Sequence, residues 1–290
     1  MKTRKIGQFN VSMIGLGGLA IAKYNVLPDK EAIELIQFAV KNGVTLIDTA
    51  DIYDNNYRNE KLIGKALTPE QKENIVISTK VGGTHNWEIK DGSPKHIYES
   101  VRGSLERLGL KKIKLYQLHA PDPNVPIQES MLAFKELQKE GLIGSIGVCN
   151  FTLEQVIEAR KVVDIASVQN RYNLELKQDE RELLPYLTKA GIAYIAFYAV
   201  GSGKPNKPKI RDNPRLGEIA KELGITPSQA AIAWVINKWP ITIPIVGTSS
   251  KEHLLENIKS AYVKLPKYII KELDSLYPAS EYVKKNQSSF

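Results

Sequence analysis

The 290-residue sequence contains one cysteine and no long uninterrupted apolar run. Because Cys149 has no possible partner within the chain, an internal disulfide is excluded, as is typical of proteins in the reducing cytosol. No segment reaches the length of about 18 consecutive apolar residues that a membrane-spanning helix requires. The opening sequence MKTRKIGQFNVS also lacks the apolar region of a secretory signal. We therefore expect a cytoplasmic protein without a membrane partner.

The sequence also lacks blocks of like charge, although its net charge is +8. Lys and Arg residues are scattered among 32 acidic residues. The densest basic segment, residues 201–211, is a Pro/Gly loop without interleaved aromatic residues, so no nucleic-acid partner is expected. The positive charge is better suited to attracting an anionic small molecule. The four histidines and the one cysteine show no metal-ligand spacing, so no metal site is predicted.

Short apolar runs alternate with amphipathic segments along the whole sequence. The apolar runs predict eight strands, at residues 12–17, 45–50, 75–80, 115–120, 145–150, 165–170, 192–199 and 241–247. Eight strands, each followed by a helix, are typical of a (β/α)8 TIM barrel, and an open doubly wound sheet is the alternative. No linker marks a boundary, so a single domain over residues 1–290 is predicted. Its short amino-terminal hairpin would turn at residues 7–10 and close the amino end of the barrel.

Two of the predicted helices have clear boundary residues. Ser93, followed by a proline, predicts the start of a helix that ends at Gly109. Thr226 and Gln229 have the spacing of a capping box, with a proline at the first helical position. These signals support helices between the predicted strands.

Ionisable side chains lie at the carboxyl ends of three consecutive predicted strands: Asp48 with nearby Tyr53, then Lys80, then His119. In a parallel barrel these ends meet at one face, and neighbouring strands lie about 4.8 Å apart. We therefore expect one cluster that transfers protons. Tyr53 would donate a proton to a carbonyl oxygen, and the charge of Lys80 would favour its phenolate. Asp48 would keep Lys80 charged, and His119 would position the substrate oxygen.

Hydride cannot come from a side chain, so this reaction requires a cofactor. The segment after the eighth predicted strand, residues 247–261, has features of a phosphate-binding helix start. Gly247 allows a close approach, Ser249 is the predicted N-cap residue of a capping box, and Lys251 and His253 add hydrogen-bond donors. An ordinary capped surface helix is the alternative.

Further polar and aromatic residues near the strand ends suit a nicotinamide cofactor. Asn150 and Gln169 could hold a carboxamide through paired donor and acceptor groups. Phe197 and Tyr198 could stack on the nicotinamide ring or pack against the protein. Residues 15–20, GLGGLA, match the Rossmann dinucleotide fingerprint, but little helical periodicity follows, so a Rossmann site is not predicted.

The sequence resembles the aldo-keto reductase superfamily over nearly its whole length. The resemblance is carried, in the order and spacing of the family, by residues 15–18, 46–67, 78–82, 104–126, 141–151, 168–173 and 247–257. It implies a (β/α)8 barrel and an oxidoreductase that transfers hydride from NAD(P)H to a small aldehyde or ketone. It also implies catalytic roles for Asp48, Tyr53, Lys80 and His119, with Tyr53 as proton donor.

The resemblance also implies a cofactor site. The positions assigned to it are Asn150, Gln169, Phe197, Ser249, His253, Glu256 and Asn257, to which the residues after the eighth strand add Gly247 and Lys251. Cys149 replaces a common Ser, Tyr198 and Ala199 replace a usual Ser-Pro, and His253 stands where relatives have Arg or Gln. NADP(H) is predicted to be preferred to NAD(H) because of Lys251, although the planar fork of an Arg would bind the 2′-phosphate more strongly.

The short loops around the predicted site would admit small substrates, with Tyr24 and Trp87 as candidate pocket residues. The expected quaternary state is a monomer or a weak oligomer. A cofactor-binding regulatory or nucleotide-sensing subunit with little turnover is the alternative function. Turnover of aldehydes, as opposed to cofactor binding alone, distinguishes the two.

Overall fold

Eight parallel strands form a closed barrel in the computed structural model, which describes residues 1–21, 27–54, 56–84, 86, 88–201 and 210–278. The strands are β1 (Thr3–Ile6), β2 (Phe9–Ser12), β3 (Gly15–Gly17), β4 (Leu46–Asp48), β5 (Val76–Val81), β6 (Ile113–Leu118), β7 (Ile143–Cys149), β8 (Ile165–Arg171), β9 (Ala193–Phe197) and β10 (Thr242–Val246). Strands β3 to β10 follow one another around the barrel, and β10 pairs with β3 to close it. The predicted (β/α)8 fold is therefore confirmed.

Helices connect the barrel strands and cover their outer surface. They are α1 (Asp29–Lys41), α2 (Arg58–Ala66), α3 (Pro69–Asn74), α4 (Pro94–Leu108), α5 (Ile127–Lys139), α6 (Leu153–Arg160), α7 (Leu183–Ala190), α8 (Pro214–Glu222), α9 (Pro227–Lys238), α10 (Lys251–Lys259) and α11 (Lys267–Ser275). In the described part of the chain, no helix is both long and apolar enough to cross a membrane.

The predicted helix boundaries of α4 and α9 are confirmed by their caps. The Ser93 side chain accepts a hydrogen bond from the backbone of His96, and α4 ends at Gly109 with a φ of +61°. A left-handed residue is readily supplied by glycine, which has no Cβ to clash with the backbone. Thr226 and Gln229 form both hydrogen bonds of a capping box at the start of α9.

The amino-terminal hairpin closes the amino end of the barrel. β1 and β2 pair antiparallel with Ile6 opposite Phe9, so the turn contains only Gly7 and Gln8 and is tighter than the predicted turn over residues 7–10. A Cβ on Gly7 would lie 2.7 Å from Ser145 Oγ, so the turn rests directly on the start of β7. Ile6 packs with interior side chains of the barrel strands. The barrel interior is therefore sealed at this end.

Apolar side chains fill the barrel below its carboxyl face. Leu46, Leu115 and Ile195 belong to one hydrophobic cluster within the barrel, and all three are fully buried. A second and larger cluster packs between the strands and the helices, with Tyr116 and Trp234 among its largest members. Burial of one such large apolar side chain contributes about 1.5–3 kcal/mol. The polar residues at the strand ends therefore lie on a rigid, well-packed support.

The glycines of residues 15–18 lie in and just after β3 rather than at the start of a dinucleotide-binding helix. The backbone N–H of Gly18 donates to the Asp48 carbonyl at 2.8 Å. A Cβ on Gly18 would lie 2.9 Å from that oxygen, and one on Gly15 would lie 2.9 Å from Ile245 Cγ2. Close packing of the first barrel strand accounts for these glycines, and this strand begins at Gly15 rather than at Ser12, which ends β2.

Candidate active site

Lys80 is the centre of a buried polar cluster at the carboxyl face of the barrel. Its Nζ lies 2.6 Å from Asp48 Oδ2 and 2.9 Å from the Tyr53 hydroxyl. The same ammonium donates to the Thr49 carbonyl at 2.8 Å. Removing an ammonium from water is costly unless it is paired and hydrogen-bonded. These three acceptors match its three N–H groups.

Asp48 is held by side chains from two other strands, β5 and β8. β4 and β5 are parallel, with Asp48 opposite Ser78, and Lys80 lies two residues further along the same face of β5. Asp48 Oδ1 accepts from Ser78 Oγ at 3.1 Å and from Gln169 Nε2 at 2.8 Å. The other oxygen, Oδ2, accepts from Lys80 and, at 3.4 Å, from the hydroxyl of Tyr53. The carboxylate is therefore fixed in orientation from β5 and β8.

The phenol of Tyr53 is protonated in this environment. Burial raises its pKa well above the usual value, and the charge of Asp48 raises it further. From the sequence, the charge of Lys80 was expected to lower the pKa of Tyr53. The pKa is instead raised, because burial and the negative charge of Asp48 outweigh the effect of the Lys80 ammonium. Tyr53 is a neutral acid at physiological pH. The ammonium of Lys80, 2.9 Å away, can stabilise the phenolate once the proton has left.

His119 faces Tyr53 from the end of β6. The two ring centres are 6.0 Å apart in an edge-to-face arrangement, and the His119 backbone N–H donates to Val81 at 2.8 Å. Burial, followed by the charges of Lys80 and Lys90, lowers the pKa of His119 well below its usual value. The imidazole is therefore neutral, with one N–H donor and one acceptor nitrogen. It can donate a hydrogen bond to a substrate oxygen without carrying a charge.

Asn150 and Gln169 border this cluster, and both amide groups already donate hydrogen bonds. Gln169 Nε2 donates to Asp48, and Asn150 Nδ2 donates to the carbonyl of His119 at 2.9 Å. Asn150 has a φ of +61°, a left-handed conformation that Asn tolerates better than most residues. Cys149 lies beside them, and burial raises the pKa of its thiol to about 12. A carboxamide bound here would donate to the side-chain oxygen of Asn150 or Gln169, or would replace one of the two hydrogen bonds that these amide groups donate.

Aromatic side chains line the opening of the barrel at the end of β9. The rings of Phe197 and Tyr198 are both partly exposed, and their centres lie 5.4 Å apart. The guanidinium carbon of Arg171 lies 5.2 Å from the Tyr198 ring centre and 6.0 Å from that of Phe197. Arg171 was not among the site residues predicted from the sequence. Its position two residues beyond Gln169, on the same face of β8, is the signal that could have identified it.

The residues after β10 partly differ from the sequence-based prediction. The N-cap residue of α10 is Ser250, whose Oγ accepts from the His253 backbone at 3.3 Å. The prediction of Ser249 as N-cap was therefore wrong, because the helix starts one residue later than the capping-box spacing suggested. Gly247 lies where a Cβ would be 2.7 Å from the Ala20 methyl, so this turn has no room for a side chain.

The polar side chains of α10 contact neighbouring helices. Lys251 Nζ lies 2.8 Å from Glu34 Oε2 on α1, and both side chains are roughly half exposed. Glu256 accepts a hydrogen bond from Thr226 at the start of α9. Asn257 lies on the last turn of the same helix. Lys251 and Glu256, both proposed cofactor residues, therefore have partners on α1 and α9 respectively.

A second group of charged residues, not predicted from the sequence, lies next to the Lys80 cluster. Glu60 accepts from Thr79 Oγ1 at 2.6 Å and from Arg107 Nε at 2.6 Å. Burial raises the pKa of Asp51 to about 8, and the nearby charge of Glu60 adds to the shift. Among the residues that the structure describes, the Oδ1 atom of Asp51 and the hydroxyl of Tyr116 are buried without a hydrogen-bond partner.

The remaining predicted site residues and cavities add little to this cluster. Tyr24 and Trp87, the predicted pocket residues, lie outside the described residues. A cavity of about 600 Å³ opens between α9 and α10, but its lining, which includes Leu255 and Tyr262, contains no residue of the Lys80 cluster. Within the described ranges, no group of three or more His, Cys, Asp or Glu side chains is placed to hold a metal ion. Side-chain chemistry therefore indicates the barrel opening as the site.

Comparison with known proteins identifies the family. Residues 13–278 match the model of the Aldo/keto reductase family. An uncharacterized oxidoreductase of Schizosaccharomyces pombe is 34% identical over 280 residues, covering 94% of this chain and 89% of that protein. Pyridoxine 4-dehydrogenase of Escherichia coli is 32% identical over 289 residues, covering 94% of this chain and 98% of that protein.

Solved structures lead to the same family. The crystal structure of an aldo-keto reductase from Klebsiella pneumoniae in complex with NADPH matches with a TM-score of 0.87 at 25% identity, covering 100% of this chain and 99% of that one. The barrel, the family model and the relatives agree with the resemblance noted in the sequence. The chain therefore belongs to the aldo/keto reductase family, whose members are oxidoreductases.

Proposed function

We propose that the protein reduces the carbonyl group of a small aldehyde or ketone with hydride from a nicotinamide cofactor, and that Tyr53 donates the proton. The observation that supports this most strongly is the contact of Lys80 with both Asp48 and Tyr53, at 2.6 and 2.9 Å. Tyr53 is a neutral phenol that can donate a proton, and the neighbouring Lys80 ammonium can stabilise the phenolate that this donation leaves. Relatives that are oxidoreductases support the reaction class.

The proton moves from the Tyr53 hydroxyl to the carbonyl oxygen as that oxygen gains negative charge. Lys80 stabilises the phenolate that remains, and its contact with Asp48 orients the Lys80 ammonium toward Tyr53. General acid catalysis of this kind contributes about 100- to 10,000-fold in rate. The Lys80 ammonium is already buried and paired with Asp48 before the reaction begins. The positive charge that stabilises the phenolate is therefore in place without rearrangement of solvent.

His119 positions the substrate. Its neutral ring faces Tyr53, so an N–H of the imidazole and the phenol can both donate to one carbonyl oxygen. Because the low pKa of His119 keeps the ring uncharged, His119 orients the oxygen and Tyr53 remains the group that gives up a proton. Two donors fix both the position and the polarisation of the carbonyl.

The residues around the barrel opening fit a nicotinamide dinucleotide. The cofactor supplies the hydride that no side chain can donate. Phe197 offers a partly exposed ring for stacking, while Asn150 and Gln169 offer amide groups for a carboxamide. Lys251 and the amino terminus of α10 suit a phosphate. Binding of NADPH by the Klebsiella pneumoniae relative supports the choice.

NADP(H) is the preferred cofactor in this proposal, since the additional 2′-phosphate carries charge that Lys251 can meet. The ion pair of Lys251 with Glu34 competes with that contact. His253, Ser249, Glu256 and Asn257 complete the proposed adenosine end, although the Glu256 side chain is bonded to Thr226. NADH is the alternative electron donor.

The proposal is tested by turnover. NADPH consumption is measured with a panel of small aldehydes and ketones, including pyridoxal because one relative is a pyridoxine 4-dehydrogenase. Wild-type turnover that is lost in Tyr53→Phe, with cofactor affinity retained, is the expected result. Cofactor binding with no turnover of any carbonyl compound would contradict the proposal and favour a nucleotide-sensing role.

A further inference from the structure

Arg171 is a cation on the inner face of the barrel, immediately beyond the proposed active site. Side chains of a strand alternate between its two faces, so Ser167, Gln169 and Arg171 share one face of β8. Ser167 bonds to Gln117 of β6, and Gln169 bonds to Asp48 of β4, so this face points into the barrel. Arg171 is the last residue of β8 and is only partly buried. It therefore lies at the opening, on the solvent side of the Lys80 cluster.

Two aromatic rings hold the guanidinium of Arg171 in place. Arg171 pairs in register with Phe197 on β9. Its guanidinium carbon lies 5.2 Å from the Tyr198 ring centre and 6.0 Å from that of Phe197, within the range of about 6 Å for cation–π attraction. A stacked guanidinium loses little further freedom when its planar fork binds a ligand. The cation is therefore preorganised.

Tyr198 is kept in an uncommon backbone conformation. Its φ is +57°, in the left-handed region that large aromatic residues rarely adopt. Its carbonyl accepts from Asn173 Nδ2 at 2.9 Å and from the Gly201 backbone at 2.8 Å. Its phenol is close enough to Tyr53 to contribute to the raised pKa of that residue. Strain of this kind concentrates at functional sites, where it holds a side chain in a required position.

We infer that Arg171, supported by Tyr198, is a specificity residue that binds the carboxylate of a carbonyl substrate whose reacting oxygen lies at Tyr53. The inference deepens the proposed function and rests on it. A planar guanidinium binds a carboxylate through two parallel hydrogen bonds. Lys80 is paired with Asp48 at 2.6 Å, so its charge is directed at Asp48 and Tyr53 rather than at a substrate carboxylate. In the proposed function the cofactor phosphates lie at α10, and the partner assigned to Arg171 is the substrate.

The test uses pairs of aldehydes in which a carboxylate is replaced by a neutral alkyl group. 4-Carboxybenzaldehyde is compared with 4-methylbenzaldehyde, and 4-oxobutanoate with pentanal, at saturating NADPH. Arg171→Gln should lower kcat/KM for the carboxylates by about 10- to 100-fold, the range for a hydrogen bond to a charged group, and change the neutral aldehydes by less than about threefold. Arg171→Lys keeps the charge but loses the planar fork, so its loss should be intermediate. Tyr198→Phe, which retains the ring, should keep the preference.

Turnover of the neutral aldehydes shows in the same assay that each variant is folded and active. Equal losses for charged and neutral aldehydes, or a loss confined to cofactor affinity measured by fluorescence titration, would overturn the inference while leaving the proposed function intact. If the wild-type protein reduces the neutral aldehydes no less well than the carboxylates, the inference is also overturned. Absence of turnover with every aldehyde would remove the proposed function and this inference together.

Discussion

Lys80 Nζ lies 2.6 Å from Asp48 Oδ2, and the exposed fractions of the two side chains are 0% and 1%. This ion pair is therefore removed from water entirely. Burial of two charges is costly, and their attraction repays the cost only when both partners are present with further hydrogen bonds. Ser78 and Gln169 supply such bonds to the carboxylate. The pair thus combines a structural role with the proposed catalytic one.

Asp48→Asn should destabilise the protein by about 3–5 kcal/mol, because it leaves the Lys80 ammonium buried without a counter-charge. In the double variant Asp48→Asn/Lys80→Met that unpaired charge is absent. The double variant should therefore recover much of the free energy of unfolding that Asp48→Asn loses. Urea unfolding of the wild type, both single variants and the double variant measures the coupling. Strictly additive losses would show that the two charges do not stabilise each other.

Tyr53→Phe should lower kcat by at least about 100-fold, the lower end of the effect of losing a general acid. The affinity for the cofactor should change little, since the phenol acts on the substrate oxygen. Steady-state kinetics together with fluorescence titration of NADPH separates the two effects. Near-normal turnover of Tyr53→Phe would identify another proton donor, and His119, the neutral imidazole opposite Tyr53, would be the first to test.

Asp51→Asn should reduce the dependence of stability on pH. The pKa of Asp51 is raised from 3.8 to about 8, so between these values the folded protein holds a proton that the unfolded chain has released. Its contribution to stability is therefore present at low pH and is lost as the pH rises to about 8, by up to about 1.4 kcal/mol per pH unit. The Asn side chain cannot titrate, so the free energy of unfolding should fall less steeply across this window.

Urea unfolding between pH 5 and 8 measures this difference, with Asp164→Asn at an exposed position as the matched control. Burial also raises the pKa of Asp179. Because Asp179 is present in all three proteins, its contribution to the pH dependence of stability cancels in the comparison. Parallel pH profiles for the wild type and Asp51→Asn would show that Asp51 does not hold a proton in the folded state.

Local sequence signals were sufficient for the barrel and for the residues at the ends of its strands. Each strand is a short apolar run, so its end is visible in the sequence, and parallel neighbours bring Asp48, Lys80 and His119 to one face. Arg171 was missed because it looks like an ordinary loop residue until the inward face of β8 is known. Asp51 was missed because its environment depends on burial and on how the chain folds back to bring Glu60 near it, which no local pattern shows.

Contacts between helices that are far apart in the sequence also could not be predicted from local patterns. Lys251 and Glu34 are separated by 217 positions in the sequence, and only the packing of α1 against α10 brings them together. The N-cap of α10 was misplaced by one residue because Ser249 and Ser250 are both suitable caps, and the choice depends on how the chain leaves β10. Sequence patterns of this kind identify elements more reliably than their terminal residues.

The pair of Lys251 and Glu34 should control the choice between NADPH and NADH. If Lys251 binds the 2′-phosphate, Lys251→Ala should weaken NADPH binding by about 10- to 100-fold and leave NADH nearly unchanged. Glu34→Gln should have the opposite effect on NADPH, because it releases Lys251 from its partner at 2.8 Å and removes a negative charge that repels the phosphate. NADPH affinity should also fall as ionic strength rises, since these groups are exposed and screened by salt.

Fluorescence titration of both cofactors in the wild type, Lys251→Ala and Glu34→Gln tests this arrangement, with Lys259→Ala on the last turn of α10 as the control for a general loss of positive charge. Equal losses of NADPH and NADH affinity in Lys251→Ala would show that Lys251 does not read the 2′-phosphate. A wild-type protein that favours NADH would reverse the cofactor preference, and Glu34, which occupies Lys251, would then be the physical reason for it.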